Sequence, residues 1–376
     1  MINSKKKTVA ICSNYAWTIF NFRMPLIRSL ILSGFRVIVI TQFDGYEKKV
    51  ANEVHKVLPL YISRKGVNPL VDLITLFDLF KKLAYIKPDY LLLFTIKPVI
   101  YGSFAARIMH IPHISMITGL GTTFISDNWI TKIVKSLYRV SLAKSAVVFF
   151  QNTDDKELFI RLGLVESGVC QLTPGSGVDL NKFLLTDLPS GTHVTFLLIA
   201  RMLRDKGVVE FVDAARYLKS IYPKTSFQLL GPLGVENRTS ISHAEMECWV
   251  DEGIIEYLGE TDDVSIFIKE SSCVVLPSYR EGTSRVLLEA AAMGRPIVTS
   301  NVTGCKEIVD DGINGLLCKS KDSADLAEKM ANIVLMSHEQ RKEMGIRGRK
   351  KVEIFFNQDI VSQLYIDAIK GCYDSN

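Results

Sequence analysis

Cys273-Val-Val-Leu-Pro-Ser-Tyr-Arg-Glu-Gly-Thr-Ser-Arg-Val-Leu-Leu-Glu-Ala-Ala-Ala-Met-Gly-Arg-Pro-Ile-Val-Thr299 reads as a strand, a turn, a helix and a second strand. The apolar run 273–276 is a buried strand that stops at Pro277. Gly282 permits a tight turn, the pattern then predicts a helix over about 283–293, and Gly294 ends it. Residues 296–299 form the next strand. Two strands joined by a helical crossover lie parallel in one sheet.

The same alternation runs outward in both directions. Apolar β-branched runs at 8–12, 36–41, 90–94, 113–117 and 146–150 form one series. Runs at 193–200, 226–230, 254–258, 273–276, 296–299 and 315–317 form a second. Between the series, residues 173–190 are rich in Pro, Gly and Ser, as a linker is. A chain of 376 residues also exceeds what one core usually serves. The expected class is therefore α/β, with two doubly wound Rossmann-like domains at 1–180 and 190–356 and a last helix within 357–376 that could pack back on the first domain. Ligands of such sheets bind beyond the carboxyl ends of the strands, so two sheets facing each other would enclose a cleft walled by βα loops.

Charge is unevenly divided. Residues 1–185 hold 23 Lys and Arg against 12 Asp and Glu, while the rest holds 22 against 28. A basic half next to an acidic half suggests an anionic partner for the basic half, a bilayer surface, a diphosphate or nucleic acid; solvated Lys is the plainer alternative. The longest apolar runs are far shorter than a membrane span. Lys5 to Lys7 before the run 8–12 is too short for a secretory signal and is read as the entry to a first strand. Seven Cys without a C-x-x-C pair point to buried thiols in a reducing compartment. The six His are scattered, and His110 and His113, the closest pair, are read as packing residues, so no metal or cofactor is expected.

Two clusters could carry chemistry. Ala200-Arg-Met-Leu-Arg-Asp-Lys-Gly lies between a strand and the helix starting near Val208, which holds Arg201 and Lys206 on a strand-to-helix turn. There an Arg fork and a Lys point charge can neutralise a diphosphate. The second cluster is the opening stretch. Glu281 sits at the mouth of its helix, where the N–H groups of Gly282, Thr283, Ser284 and Arg285 are expected to face the cleft. Glu289 follows two turns on, up to about 12 Å away. Glycosidase carboxylate pairs stand roughly 5 to 9.5 Å apart, so this spacing suits a long ligand better, with one carboxylate on a sugar and the other on a ribose.

Glu281, seven residues and Glu289 resemble the E-x7-E motif of family 4 of the retaining glycosyltransferases, and Arg201 with Lys206 resembles that family's phosphate clamp. Asp179 in Gly175-Ser-Gly-Val-Asp, Leu258-Gly259 and the segment Gly304 to Gly315 are similar to its recurrent segments. Asn21-Phe-Arg-Met-Pro, Phe94-Thr-Ile-Lys-Pro and Ile117-Thr-Gly-Leu-Gly-Thr-Thr-Phe resemble members that extend lipid-linked saccharides for O-antigen, capsule or glycan assembly. The loop Asn14-Tyr-Ala-Trp-Thr-Ile-Phe departs from the family by lacking a Gly pair, as does the region of Thr118 and Gly119 by lacking a His.

The resemblance implies a GT-B architecture and transfer of a sugar, with retention, from a nucleotide diphosphate sugar, UDP-linked, to a lipid-diphosphate-linked saccharide. It implies donor contacts from Arg201, Lys206, Leu258, Glu281, Gly282, Thr283, Ser284 and Glu289, with Glu281, Arg201 and Lys206 catalytic. Acceptor contacts would come from Arg23, Lys97 and Gly119. The absence of any D-x-D tripeptide fits the lack of a metal site. The expected setting is the cytoplasmic face of the inner membrane, held by an anionic surface against the basic half, with no nucleic acid partner. Ile130, Lys132, Ile133, Val134, Lys135, Leu137, Arg139 and Val140 would form an amphipathic docking helix there, helped by Arg64, Lys65 and Lys144. A nucleotide-sugar epimerase and a binding homologue without turnover are the alternatives.

Overall fold

The computed structural model describes residues 6–63, 68–119 and 129–374. Arg64, Lys65 and residues 120–124 of the Ile117 segment lie outside them, as does the side chain of Ile130. Two compact units emerge, Met1–Ser176 with Gln358–Asn376, and Gly177–Asn357.

Unit 1 has strands β1 (Thr8–Tyr15), β2 (Arg36–Gln42), β3 (Lys56–Pro59), β4 (Tyr90–Phe94), β5 (His113–Ile117), β6 (Val147–Phe150) and β7 (Cys170–Leu172). They form one parallel sheet in the order β3-β2-β1-β4-β5-β6-β7. Its helices are α1 (Ala16–Phe22), α2 (Met24–Leu32), α3 (Glu47–Ala51), α4 (Pro69–Ile86), α5 (Ser103–Ile108), α6 (Trp129–Leu142) and α7 (Thr153–Arg161). Apolar clusters cover both sheet faces, one around Ala10, Leu91 and Phe150, the other around Ile11, Leu92 and Phe149, as period-2 alternation in a doubly covered sheet requires.

Unit 2 repeats the plan. Its strands β8 (Val194–Ile199), β9 (Thr225–Leu230), β10 (Glu256–Tyr257), β11 (Cys273–Leu276), β12 (Ile297–Ser300) and β13 (Gly315–Cys318) run parallel in the order β10-β9-β8-β11-β12-β13. The helices are α8 (Val208–Ile221), α9 (His243–Asp251), α10 (Ser265–Glu270), α11 (Arg285–Ala292), α12 (Ser323–Leu335) and α13 (His338–Phe355). The last helix, α14 (Gln358–Asp374), returns to unit 1, where its Tyr365 is fully buried with ring centroids 4.7 Å from Phe149 and 5.7 Å from Phe94.

Three details differ from the sequence reading. The Pro- and Gly-rich stretch is no loose linker beyond residue 177, because Val178, Phe183 and Leu188 are buried. Arg295, also fully buried, donates to the carbonyls of Thr186 and Asp187 at 2.9 Å and so fastens this segment to unit 2. Helix α11 starts two residues later than expected, with Ser284 as its N-cap. In α6, Val134, Tyr138 and Leu142 enter the core, and Arg139 donates to the carbonyls of Gly163 and Leu162 at 2.9 and 3.0 Å. Arg139 is therefore a brace for the end of α7, whereas Ile133 and Val140 stay exposed.

Candidate functional site

The strand order of each unit reverses direction at one point, between β8 and β11 in unit 2 and between β1 and β4 in unit 1. Loops at such a switch point diverge and leave a crevice for ligand. In unit 2 the two diverging loops carry both clusters singled out in the sequence.

After β8 the chain passes exposed Arg201, makes one short 3-10 turn at Arg204–Lys206 and enters α8 through Gly207. Gly207 has φ +73°, and a Cβ there would stand 2.2 Å from the Pro277 carbonyl oxygen. Only glycine allows this approach. The contact is then fixed by hydrogen bonds to the Asp205 carbonyl, from the Tyr279 N–H at 2.9 Å and the Ser278 hydroxyl at 3.2 Å. With the loops so joined, Lys206 Nζ forms an ion pair with Glu281 Oε1, both side chains mostly shielded from solvent. Arg201's guanidinium has no hydrogen-bond or ion-pair partner among the described residues.

A third loop, after β12, closes on the same place. Glu281 N–H donates to the Thr303 carbonyl at 3.0 Å and Ser284 N–H to the Gly304 carbonyl at 2.9 Å. Gly304 has φ +84°, and a Cβ there would lie 2.5 Å from the Glu281 backbone. The Ser284 N–H, expected to serve an anion, is thus engaged within the protein in this structure. The helix itself begins at Arg285, and its first-turn N–H groups have no intrahelical carbonyl to meet.

Glu289 lies on α11 and is 5% exposed, with Arg285 Nε 2.7 Å from its Oε1. Burial pushes its carboxyl above the ordinary range, while Arg285 and then Lys182 oppose that rise. It is not the solvated helix face that a lone carboxylate suggests in a sequence. Glu281 and Glu289 are paired with different cations, Lys206 and Arg285. Leu258 is half-buried, its N–H bonded to the Leu229 carbonyl at 2.9 Å, and Gly259 accepts from the Gly231 N–H at 2.7 Å. Sequence reasoning missed Glu210 and Tyr279: the Tyr279 hydroxyl donates to Glu210 Oε1 at 2.6 Å and braces the residue two before Glu281. The position of Glu210 in the first turn of α8 was the available signal.

In unit 1, Arg23 is 5% exposed with its guanidinium 4.1 Å from the centre of the Phe94 ring. It thus packs at the carboxyl end of β4, the end of the strands where such sheets meet their ligands. Lys97 is held by Asp72 at 2.8 Å, the two side chains 17% and 7% exposed. Gly119 has φ +116°. Thr95 directly follows β4 and has φ +70°, a strained conformation for a β-branched residue of the kind that collects at ligand sites. Its Oγ1 accepts from the Asn14 N–H at 3.3 Å, and Asn14 Oδ1 is buried without a hydrogen-bond partner among the described residues. The switch point of unit 1 is thus polar and strained, a feature no local pattern announces.

Residues 187–351 match the family model Glycosyl transferases group 1, and residues 9–152 match Glycosyl transferase 4-like. The N,N'-diacetylbacillosaminyl-diphospho-undecaprenol alpha-1,3-N-acetylgalactosaminyltransferase of Campylobacter jejuni is 30% identical over 375 residues, covering 95% of this chain and 97% of that protein. The UDP-Gal:alpha-D-GlcNAc-diphosphoundecaprenol alpha-1,3-galactosyltransferase of Escherichia coli is 25% identical, covering 81% and 82%. Among solved structures, Anabaena HepE in complex with UDP and glucose has a TM-score of 0.78 at 17% identity, covering 96% of this chain and 99% of that one. At that identity the likeness concerns the fold.

Proposed function

Because the chain belongs to the group 1, family 4-like glycosyltransferases of GT-B fold, we propose that it moves a hexose or N-acetylhexosamine from a UDP-sugar to a saccharide carried on a polyprenyl diphosphate. The observation that carries this reading is the pairing of Lys206 with Glu281 across the two loops of the β8/β11 switch point, with exposed Arg201 on the first of those loops and the start of α11 following the second. Charge grows on the diphosphate as the bond to the anomeric carbon breaks. Two cations and the first-turn N–H groups of a helix lower the cost of that charge, the kind of electrostatic help that often dominates enzymic rate. Glu281 accepts hydrogen bonds from the sugar once the diphosphate has drawn Lys206 away, and Glu289 accepts from the ribose.

Relatives whose names specify diphospho-undecaprenol acceptors and α-linkages support the acceptor class and net retention from an α-linked donor. Arg23, Lys97 and Gly119 remain the acceptor contacts in this reading, with Asn14 and Thr95 added. The enzyme then works at the cytoplasmic face of a membrane that holds its acceptor, and no described helix is long and apolar enough to cross that membrane.

The test is incubation with a panel of UDP-sugars and a short-chain, water-soluble lipid-diphosphate saccharide, followed by mass spectrometry and the anomeric proton coupling of the product. Addition of one sugar in α-linkage is expected. A donor sugar altered without acceptor present would instead make the protein an epimerase, and a β-linked product would overturn retention.

A further inference from the structure

Unit 1 carries an apolar surface where solvent is expected. On α4, Leu70, Leu73, Ile74 and Phe77 are 74%, 49%, 51% and 59% exposed. Their i, i+3, i+4, i+7 spacing places them on one stripe. The opposite side of the same helix is already docked through Thr75, Leu79 and Leu83, so the stripe is a second apolar face. Next to it a groove of about 440 Å³ runs between α4, α5 and α6, with Leu76, Phe104 and Leu137 among its walls and the exposed Ile133 and Val140 on its rim.

The charges around this face have one sign. Exposed Lys81 continues the α4 stripe, and exposed Lys132 borders the groove. Of the two acids on α4, Asp72 is buried against Lys97 and Asp78 is paired with Lys82. The sequence of α6 contains no acid. Apolar patches of this kind on a folded domain mark a docking surface.

We infer that the α4 stripe and the α4–α6 groove form a docking face that enters the hydrocarbon edge of an anionic bilayer. The inference rests on the proposed lipid-linked acceptor only in so far as that acceptor places the enzyme at a membrane. Charge complementarity selects the occupant. A second copy packed on this face would set Lys81 and Lys132 against their own kind with no carboxylate to meet them, whereas an anionic leaflet attracts the cations and takes up the apolar side chains. This differs from docking by α6 alone, since the core claims half of that helix and α4 supplies the apolar contact.

Vesicle co-sedimentation tests it, using phosphatidylcholine alone and an equimolar mixture with phosphatidylglycerol. The wild-type chain should bind the mixture and scarcely bind phosphatidylcholine. The double variant Leu73→Gln, Phe77→Gln, which changes exposed positions, should bind the mixture roughly tenfold or more weakly. In Phe77→Trp the added fluorescence should shift to the blue on binding and be quenched by lipids brominated in their acyl chains. Transfer to a water-soluble short-chain acceptor should be unchanged in the double variant, while transfer to a bilayer-borne acceptor falls. Undiminished vesicle binding by the double variant, absence of binding by the wild type, or a wild-type dimer that the double variant dissolves would each overturn the inference. Loss of transfer to the short acceptor in the wild type itself would strike the proposed reaction and leave the vesicle result standing.

Discussion

Lys206 and Glu281 neutralise each other across two loops, so a diphosphate that takes Lys206 must displace Glu281. The sequence alone leaves Glu281 out of diphosphate binding, because the pair spans 75 positions. Glu281→Gln should therefore bind a free nucleoside diphosphate more tightly, by about two- to fivefold, the range for a partly shielded ion pair, and yet transfer sugar more slowly. Calorimetry showing weaker or unchanged binding would remove Glu281 as a competitor for that lysine. Glu289 stands differently, since burial raises its pKa above the unfolded value. Its contribution to stability is full below the ordinary carboxylate range and is lost as pH rises through the higher folded value. Glu289→Gln should then be at least as stable as wild type near neutral pH. That advantage should vanish in acid, and nucleoside diphosphate affinity should fall. A variant that loses stability near neutral pH would show the carboxylate to be structural.

At the scale of elements, central strands were plain in the sequence because they are buried on both faces and read as unbroken apolar runs. The edge strands β3 and β7 were not, for β3 is at most half-buried, two of the three residues of β7 are exposed, and each pairs on one side only. Nor could local pattern place the start of α11, since the group that claims the Ser284 N–H is a carbonyl twenty residues away in another loop. β5 carries a pH dependence of its own. Its first residue, His113, has its pKa pushed down from 6.5 to about 4 by burial, the carbonyl of Ile111 opposing. Ser145 Oγ lies 3.1 Å from its Nε2. Between about pH 6.5 and about pH 4 the unfolded chain binds a proton that the folded one refuses, so stability contributed above that window is lost as pH falls through it, to an extent on the order of 3 kcal/mol. Denaturant titrations should show a shallower pH slope in His113→Asn across this window. An unchanged slope would mean that other groups set it.

Taken as a whole, the molecule is two doubly wound units, each with one switch point, and that much was legible from alternation and length. The two clusters used in the proposed donor site were legible as motifs, Arg201 with Lys206 and Glu281 with Glu289, whereas the close approaches at Gly207 and Gly304 that join their loops appear only in the fold. In unit 1 the packing of Arg23 on Phe94, the strain at Thr95 and the unpaired oxygen of Asn14 appear only once the chain is folded. The central claim is that Arg201 and Lys206 meet the charge of a departing diphosphate. It is tested most directly by single-turnover transfer from a UDP-sugar to a short-chain lipid-diphosphate saccharide, at saturating donor, in wild type, Arg201→Ala and Lys206→Ala. Each variant should fold as wild type does and transfer about ten- to a hundredfold more slowly; turnover close to wild type in both would contradict the claim.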